Sequence, residues 1–355
     1  MWEGGIFSIL QEASMSEVHT IGLDLAKSVF QAHGADGSGE VVFRKRLRRK
    51  QVLAFFADQP RCLVAMEACG SAHYWGRELA RLGHKVKLIP PIYVKPFVKR
   101  QKNDAADAEA ICEAANRPTM RFVPVKSEER QGIAVLLRTR EILIRQRTQT
   151  INALRGHLAE FGVIVPKGAS NVAKLIERIA SPEISLPEVA RAALSYLTDS
   201  LLRLEDQVRE LDREIAGLAR ANETARRLMT IPGIGPLIAV AMVALAPPPE
   251  TFRRGRDFAA WLGLTPRQNS TGGKQRLGAT TKMGERSLRR LLIIGANSVV
   301  MWRSKKGAAP GTWLEGMLAR KPAMLVRVAQ ANKMARIVWA IMSGNQTYQA
   351  PVAQA

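Results

Sequence analysis

His19-Thr20-Ile21-Gly22-Leu23-Asp24-Leu25-Ala26 reads as a β-strand that ends on a carboxylate. Val29 to Ala35 and Glu40 to Arg44 predict the next two strands of a meander, with the turn-forming string Gly34-Ala35-Asp36-Gly37-Ser38-Gly39 between them. Gln51 to Asp58 has a helical pattern. Arg61-Cys62-Leu63-Val64-Ala65-Met66-Glu67 is a short apolar run, consistent with a buried strand that again closes on an acid. Trp75 to Leu82 predicts a helix, and Lys85 to Ile89 a strand halted by Pro90-Pro91. A meander followed by alternating helix and strand predicts a mixed α/β sheet with helices on its faces.

Beyond this block the pattern turns helical. Glu128 to Phe161 is a long amphipathic stretch carrying Arg138, Arg140, Arg145, Arg147 and Arg155. Leu194, Leu197, Leu201, Leu204, Val208, Leu211, Ile215 and Leu218 alternate three and four residues apart, the seam of a short coiled coil. Such a seam closes on its own chain or joins two chains, and the pattern does not choose. Ile231-Pro232-Gly233-Ile234-Gly235-Pro236 opens an apolar helix to Ala246, broken by Pro247-Pro248-Pro249. Phe252 to Leu262, Glu285 to Met301 and Lys321 to Met342 predict further helices, with a polar, basic loop from Gln268 to Met283 among them. The expected fold class is α/β plus all-α. The expected divisions are a disordered extension at 1–17 (Met15 competing with Met1 as the start), an α/β domain at 18–126, a helical region at 127–225, a C-terminal domain at 226–345 and a loose tail at 346–355.

Charge bounds the function. The 355 residues hold 53 Lys+Arg against 31 Asp+Glu, a formal net charge of +22. So basic a chain repels itself, and a polyanionic partner relieves the repulsion; nucleic acid is the commonest, since each neutralised phosphate releases a counterion. No apolar run approaches the roughly 20 residues that span a bilayer, and the first residues lack a signal-peptide pattern. A cytoplasmic protein, associated with the nucleoid when bound to DNA, is expected. Cys62, Cys69 and Cys112 form no CxxC pair and five histidines show no zinc spacing, so buried free thiols in a reducing cytosol are expected.

Four carboxylates stand out. Asp24 and Glu67 close predicted strands, while Asp104 and Asp107 lie three apart in Lys102-Asn103-Asp104-Ala105-Ala106-Asp107, on one helix face. Acids from neighbouring strand ends and one helix can converge on a hard cation such as Mg²⁺. The plainer alternative makes Asn103 or Asp104 a helix cap and Asp107 surface decoration. Gly233 and Gly235 permit a tight, helix-hairpin-helix-like turn that offers backbone N–H groups to a phosphate, or simply a helix start after Pro232. The loop Arg267-Gln268-Asn269-Ser270-Thr271-Gly272-Gly273-Lys274-Gln275-Arg276 sets two hydroxyls beside two glycines and the cations Arg267, Lys274 and Arg276. A phosphate could be held there and attacked by a hydroxyl; a solvated turn is the alternative. The run Arg44-Lys45-Arg46-Leu47-Arg48-Arg49-Lys50 is either a nucleic-acid contact or a solvated surface.

Together, Ile21-Gly22-Leu23-Asp24, Met66-Glu67-Ala68-Cys69-Gly70 and Lys102 to Asp107 resemble the DEDD signature of the insertion-sequence 110 family of transposases. Ile231 to Gly235, Gly263-Leu264-Thr265-Pro266-Arg267, Ser270 to Arg276 and Lys282-Met283-Gly284 are similar to its C-terminal motifs, in order, so the likeness runs from about residue 20 to 342. It implies a RuvC-like, RNase H-type domain in which Asp24, Glu67, Asp104 and Asp107 bind Mg²⁺. It also implies a C-terminal transposase domain whose serine attacks DNA and forms a transient phosphoserine link, with Lys282 joining the DNA-contacting cations. A noncoding bridge RNA pairing with donor and target DNA, and a homo-oligomer (dimer or tetramer) whose catalytic domains meet between protomers, are further implications. In some relatives the serine directly precedes the glycine, a register that falls here on Thr271; others match Ser270. Ser270 is preferred, with Thr271 as the alternative. Two readings compete with the transposase: a metal-dependent RuvC-like nuclease indifferent to Ser270, and a non-catalytic basic DNA-binding protein.

Overall fold

The computed structural model describes residues 17–99, 103–307 and 311–350. The question of Met1 or Met15, and Lys102, fall outside them. The chain divides into two compact units, Met1–Ser127 and Glu128–Ala355.

The first unit is built on β1 (Thr20–Asp24), β2 (Val29–Ala35) and β3 (Val41–Arg48), followed by α1 (Val52–Ala57), β4 (Leu63–Glu67), α2 (Ala72–Arg81), β5 (Lys85–Ile89), α3 (Pro91–Val94) and α4 (Asp104–Ala115). Its sheet has the order β3-β2-β1-β4-β5. The β1–β2 and β2–β3 pairs are antiparallel, and β1–β4 and β4–β5 are parallel, the mixed sheet expected. Strand β3 runs further than the sequence suggested, through Arg48, so the basic run is an edge strand and a 3-10 turn at Arg49–Gln51. Cations along an edge discourage pairing with another strand.

Strand periodicity sorts the side chains onto two faces. Ile21, Leu23, Val64 and Met66 pack with Phe30, Phe56, Trp75 and Leu79 on one side. Ala65 and Ile89 pack with Ile111 and Ala114 of α4 on the other. Each large apolar side chain buried in this way contributes roughly 1.5–3 kcal/mol.

The second unit opens with two long helices, α5 (Glu128–Ala159) and α7 (Glu188–Ala221), flanking the short α6 (Val172–Ala180). The two long helices pack along each other within the chain. None of the eight seam positions from Leu194 to Leu218 is exposed, and Leu194 and Leu201 join Leu154, Leu158 and Leu175 in one core. Then come α8 (Glu223–Leu228), α9 (Pro236–Leu245) and α10 (Gly255–Trp261), the strand pair β6 (Pro266–Gln268) and β7 (Leu277–Thr280), and α11 (Arg286–Lys306), α12 (Trp313–Arg320) and α13 (Ala323–Ser343). A second core joins Ile215 of α7 to Ala239 and Met242 of α9, Phe258 of α10, Leu292 of α11 and Val338 of α13.

Two features correct the sequence reading. Gln268 to Met283 is no open loop: its flanks pair as an antiparallel hairpin. The stretch after Asn345 is tied as far as Tyr348, whose N–H donates to Thr230 Oγ1 at 2.9 Å; residues 351–355 fall outside those described. No helix among the described residues is long and apolar enough to cross a membrane.

Candidate functional site

The acidic cluster follows from strand register. Leu23 of β1 stands opposite Met66 of β4, both facing the Phe30 core. One step on, the chain alternates. Asp24 and Glu67 therefore fall on the opposite face, the one covered by α4. What lets α4 cover it closely is Gly22. A Cβ there would meet the Ala108 carbonyl oxygen at 2.2 Å and the Cys112 nitrogen at 2.6 Å, so only glycine permits this approach of helix to strand. The far end of α4 is pinned to β1: Thr20 Oγ1 donates to Asn116 Oδ1 at 3.0 Å, and Cys112 Sγ donates to the Thr20 carbonyl at 3.7 Å. Asn103 caps the near end by accepting from the Ala106 N–H at 2.8 Å, which sets Asp104 and Asp107 in the first turn. Asn103 thus takes the capping role, not Asp104.

The acids act on one another through charge. Burial, then the negative charges of Asp107, Asp104 and Glu67, push the Asp24 carboxyl up from 3.8 to about 6, against one backbone hydrogen bond from Leu25. All three other candidate acids act on Asp24. Among the described residues, though, no three of His, Cys, Asp or Glu stand close enough to form a ready-made metal cage. The donors are oxygen only, which suits a hard divalent cation. Glu109, also on α4, is occupied elsewhere, by Lys99 at 2.6 Å and Arg44 at 3.3 Å.

The thiols differ from expectation at one place. Cys62 and Cys112 are buried, but Cys69 is exposed in the turn after β4. Partial desolvation, then the charges of Glu67 and Asp24, push its thiol up. Within the basic run Leu47 is buried, while the Arg49 guanidinium lies 5.2 Å from the Trp75 ring, Lys45 Nζ lies 4.8 Å from the Phe55 ring and Arg44 pairs with Glu109.

In the second unit the hydroxyl loop is the tip of the β6–β7 hairpin. Gly272 and Gly273 take φ of +53° and +75°, and the Lys274 N–H donates to the Thr271 carbonyl at 3.0 Å. That is a two-residue turn of the I′ kind, which two glycines favour. The Ser270 hydroxyl accepts from the Arg276 N–H at 3.1 Å, which fixes the oxygen and leaves its O–H proton free to be given up. Arg267, Ser270, Thr271, Lys274 and Arg276 are all exposed on this one projection.

Its root is locked. The Thr281 N–H donates to Thr265 O at 2.9 Å and the Lys282 N–H to Gly263 O at 3.2 Å. Arg289 of α11 donates to the Leu262 carbonyl at 3.0 Å and the Met283 carbonyl at 2.6 Å. Sequence reading passed over Arg289, since nothing marks a helical arginine as a latch.

Gly233 and Gly235 belong to a different feature, the α8–α9 turn. Gly233 has φ +86° and lies against α11, where a Cβ would meet the Gly295 carbonyl at 2.6 Å; that glycine serves packing. Gly235 caps α9, with open space where a Cβ would be.

A carboxylate-bearing α/β unit joined to a basic unit that displays a serine among cations suits a polyanionic partner such as nucleic acid. Comparison with known proteins narrows this. The family described as "Transposase IS116/IS110/IS902 family" matches residues 225–310, and the DEDD transposase domain of IS110 matches residues 21–163. The chain is 51% identical to a "Probable family 20 transposase" of Pseudomonas aeruginosa over 93% of this chain and 98% of that protein. It is 40% identical to the "Transposase for insertion sequence element IS1328" of Yersinia enterocolitica (92% and 97% covered). It is 37% identical to the "Transposase for insertion sequence element IS1111A" of Coxiella burnetii (95% and 93% covered). The chain belongs to the IS110/IS116/IS902 family of insertion-sequence transposases, enzymes that cleave and transfer DNA strands. Its DEDD domain implies use of a divalent metal.

Proposed function

We propose that the chain cuts and rejoins donor and target DNA through Ser270, with Asp24, Glu67, Asp104 and Asp107 as the Mg²⁺-binding set of a RuvC-like, RNase H-type domain. The observation that supports this is Asp24, a half-buried acid raised to about 6 by its burial first and then by the negative charges of Asp107, Asp104 and Glu67. Neighbouring like charges are relieved by a proton, which the raised Asp24 carboxyl takes, or by a bound cation, and this reading assigns the cation. Mg²⁺ there would polarise phosphate oxygens and ease departure of the leaving oxygen.

The protein's own part begins at the hairpin. Lys274, Arg276 and Arg267 neutralise the phosphate, with Lys282 at the root as a further contact, and the Gly235 end of α9 offers backbone N–H groups to the DNA backbone. A bond forms between Ser270 Oγ and phosphorus as the bond from phosphorus to the leaving deoxyribose oxygen breaks; the serine proton departs and the leaving oxygen gains one. Attack by the hydroxyl of another DNA strand reverses these changes and restores the serine, so no external energy source is needed. Ser270 is preferred to Thr271 because its oxygen is held by the Arg276 N–H. Guidance by a bridge RNA, which supplies sequence by base pairing while protein reads backbone and shape, is part of the same reading. So is assembly as a dimer or tetramer, with 127–225 as a helical region and 226–345 as the transposase domain.

The test is a covalent trap. The protein is incubated with Mg²⁺, the element-derived RNA and end-labelled donor and target DNA, then denatured, for wild type, Ser270→Ala and Thr271→Val. A protein–DNA adduct lost only in Ser270→Ala is expected. Loss only in Thr271→Val moves the nucleophile by one residue; metal-dependent nicking without adduct in every variant establishes a nuclease instead.

A further inference from the structure

Resting on the reading of the hairpin as the DNA-cleaving element, we infer that an open groove beside it binds a single DNA strand, the one leading to the phosphate at Ser270. The groove encloses about 1400 Å³, more than the roughly 300–1,000 Å³ of a small-ligand pocket, and so takes more than one nucleotide.

Its lining is one-signed. Arg254 and Arg256 enter from the start of α10 and Lys333 and Arg336 from α13, with no Asp or Glu among the lining residues. Arg254 has an acid within reach, Asp257 at 3.9 Å, but a long and exposed pairing of that kind holds little. The complement of this wall is a polyanion.

Aromatic surface is interleaved with the charge. Trp313 at the head of α12 is 42% exposed, and Lys333 Nζ lies over one face of its ring, 4.9 Å from the centroid, which joins a phosphate-binding cation to an exposed aromatic side chain. Tyr348 lines the groove from the C-terminal segment, held by its hydrogen bond to Thr230. Trp339 is part of the wall and not free to swing, since its indole N–H donates to the Pro249 carbonyl at 3.1 Å. Cations tracking a backbone with aromatic rings between them are the device by which proteins hold unpaired strands. A duplex keeps its base faces stacked on one another and cannot use Trp313.

The occupant follows from continuity. Pro266 of β6 and Gly278 of β7 form part of the groove wall, and the same two strands carry Ser270 at their turn. A strand lying in the groove therefore continues toward the hydroxyl, and the strand that must reach that hydroxyl is the DNA to be cut.

The experiment measures binding, not cleavage. Full-length Ser270→Ala protein, unable to form the adduct, is titrated against a labelled 12-residue single DNA strand, the same sequence as RNA, and the duplex, with anisotropy as readout. Adding Trp313→Ala is expected to weaken the single DNA strand about ten-fold and the duplex by less than two-fold, with Trp313→Phe restoring most of the loss. Helix α12 buries none of its residues, so the truncation leaves the fold intact; Arg336→Gln, with the same expected preference for the single strand, is the second variant. No loss in either variant, equal loss on the duplex, or RNA held as tightly and as dependently on Trp313 would overturn the inference. The covalent trap separates this from the parent reading: an adduct at Ser270 with no Trp313 effect removes the groove and leaves the transposase chemistry.

Discussion

A methyl group at Gly22 would drive α4 from β1, because the atoms it meets are the Ala108 and Cys112 backbone, not side chains that can turn aside. The acidic site therefore rests on a residue with no chemistry of its own. Asp24 and Glu67 were legible in the sequence as strand ends, and Asp104 and Asp107 by their spacing; Gly22 as the reason α4 lies close against β1 was not, since a strand glycine has many uses. The cost of that closeness gives a prediction. A carboxyl raised from 3.8 to about 6 binds its proton more tightly folded than unfolded. Folded stability therefore falls as pH rises from about 4 to about 6, and the penalty is full above that. Asp24→Asn removes it. In metal-free protein above pH 6 the variant is expected to be more stable than wild type by about 1 kcal/mol, a figure discounted for partial exposure, and the difference should vanish near pH 4. The same variant should lose strand transfer while keeping DNA binding. Urea unfolding at several pH values and a transfer assay check both; a less stable variant, or retained transfer, overturns the charge assignment.

At the scale of elements, what could be read from sequence depended on whether an element buries a face. The α7 seam was plain because Leu194, Leu201, Val208 and Ile215 are all buried, each about two turns from the next. Its partner was open in the sequence and is α5 of the same chain. Strands β6 and β7 were missed because every residue of β6 is exposed and β7 is exposed for all but its last residue, so no alternation marks them; Gly272-Gly273 was the signal, read as a phosphate approach or a solvated turn and not as a hairpin. A hairpin without a core needs anchoring at its root, and Arg289 provides it. Arg289→Leu is expected to leave global unfolding within about 2 kcal/mol of wild type, two side-chain hydrogen bonds being lost. Proteolysis between Gln268 and Met283 should quicken, and the Ser270 adduct should fall by about ten-fold or more, since a loosely held nucleophile is a poor one. Limited proteolysis beside the trap assay measures both, and a protected hairpin in the variant would discard the latch.

Across the whole molecule two opposite needs coexist: a net charge of +22 to gather DNA, and an acidic cluster that repels it. The candidate acids lie behind β1 and β4 in the first unit, and the exposed hairpin cations lie beyond residue 127 in the second. Binding and chemistry should then be separable. Duplex binding without metal should follow the counterion law, log K falling with log salt by about 0.9 for each phosphate neutralised. If Lys274 and Arg276 each hold one phosphate, Lys274→Gln with Arg276→Gln should flatten that slope by about 1.8, because each lost contact is a counterion no longer released. Affinity should fall alike for unrelated sequences, since phosphates carry no sequence. Asp24→Asn, which removes no cation, should leave the slope where it was. A slope unmoved by the double substitution would mean that the hairpin projects into solvent even with DNA bound, and the serine at its tip would lose its claim to the phosphate.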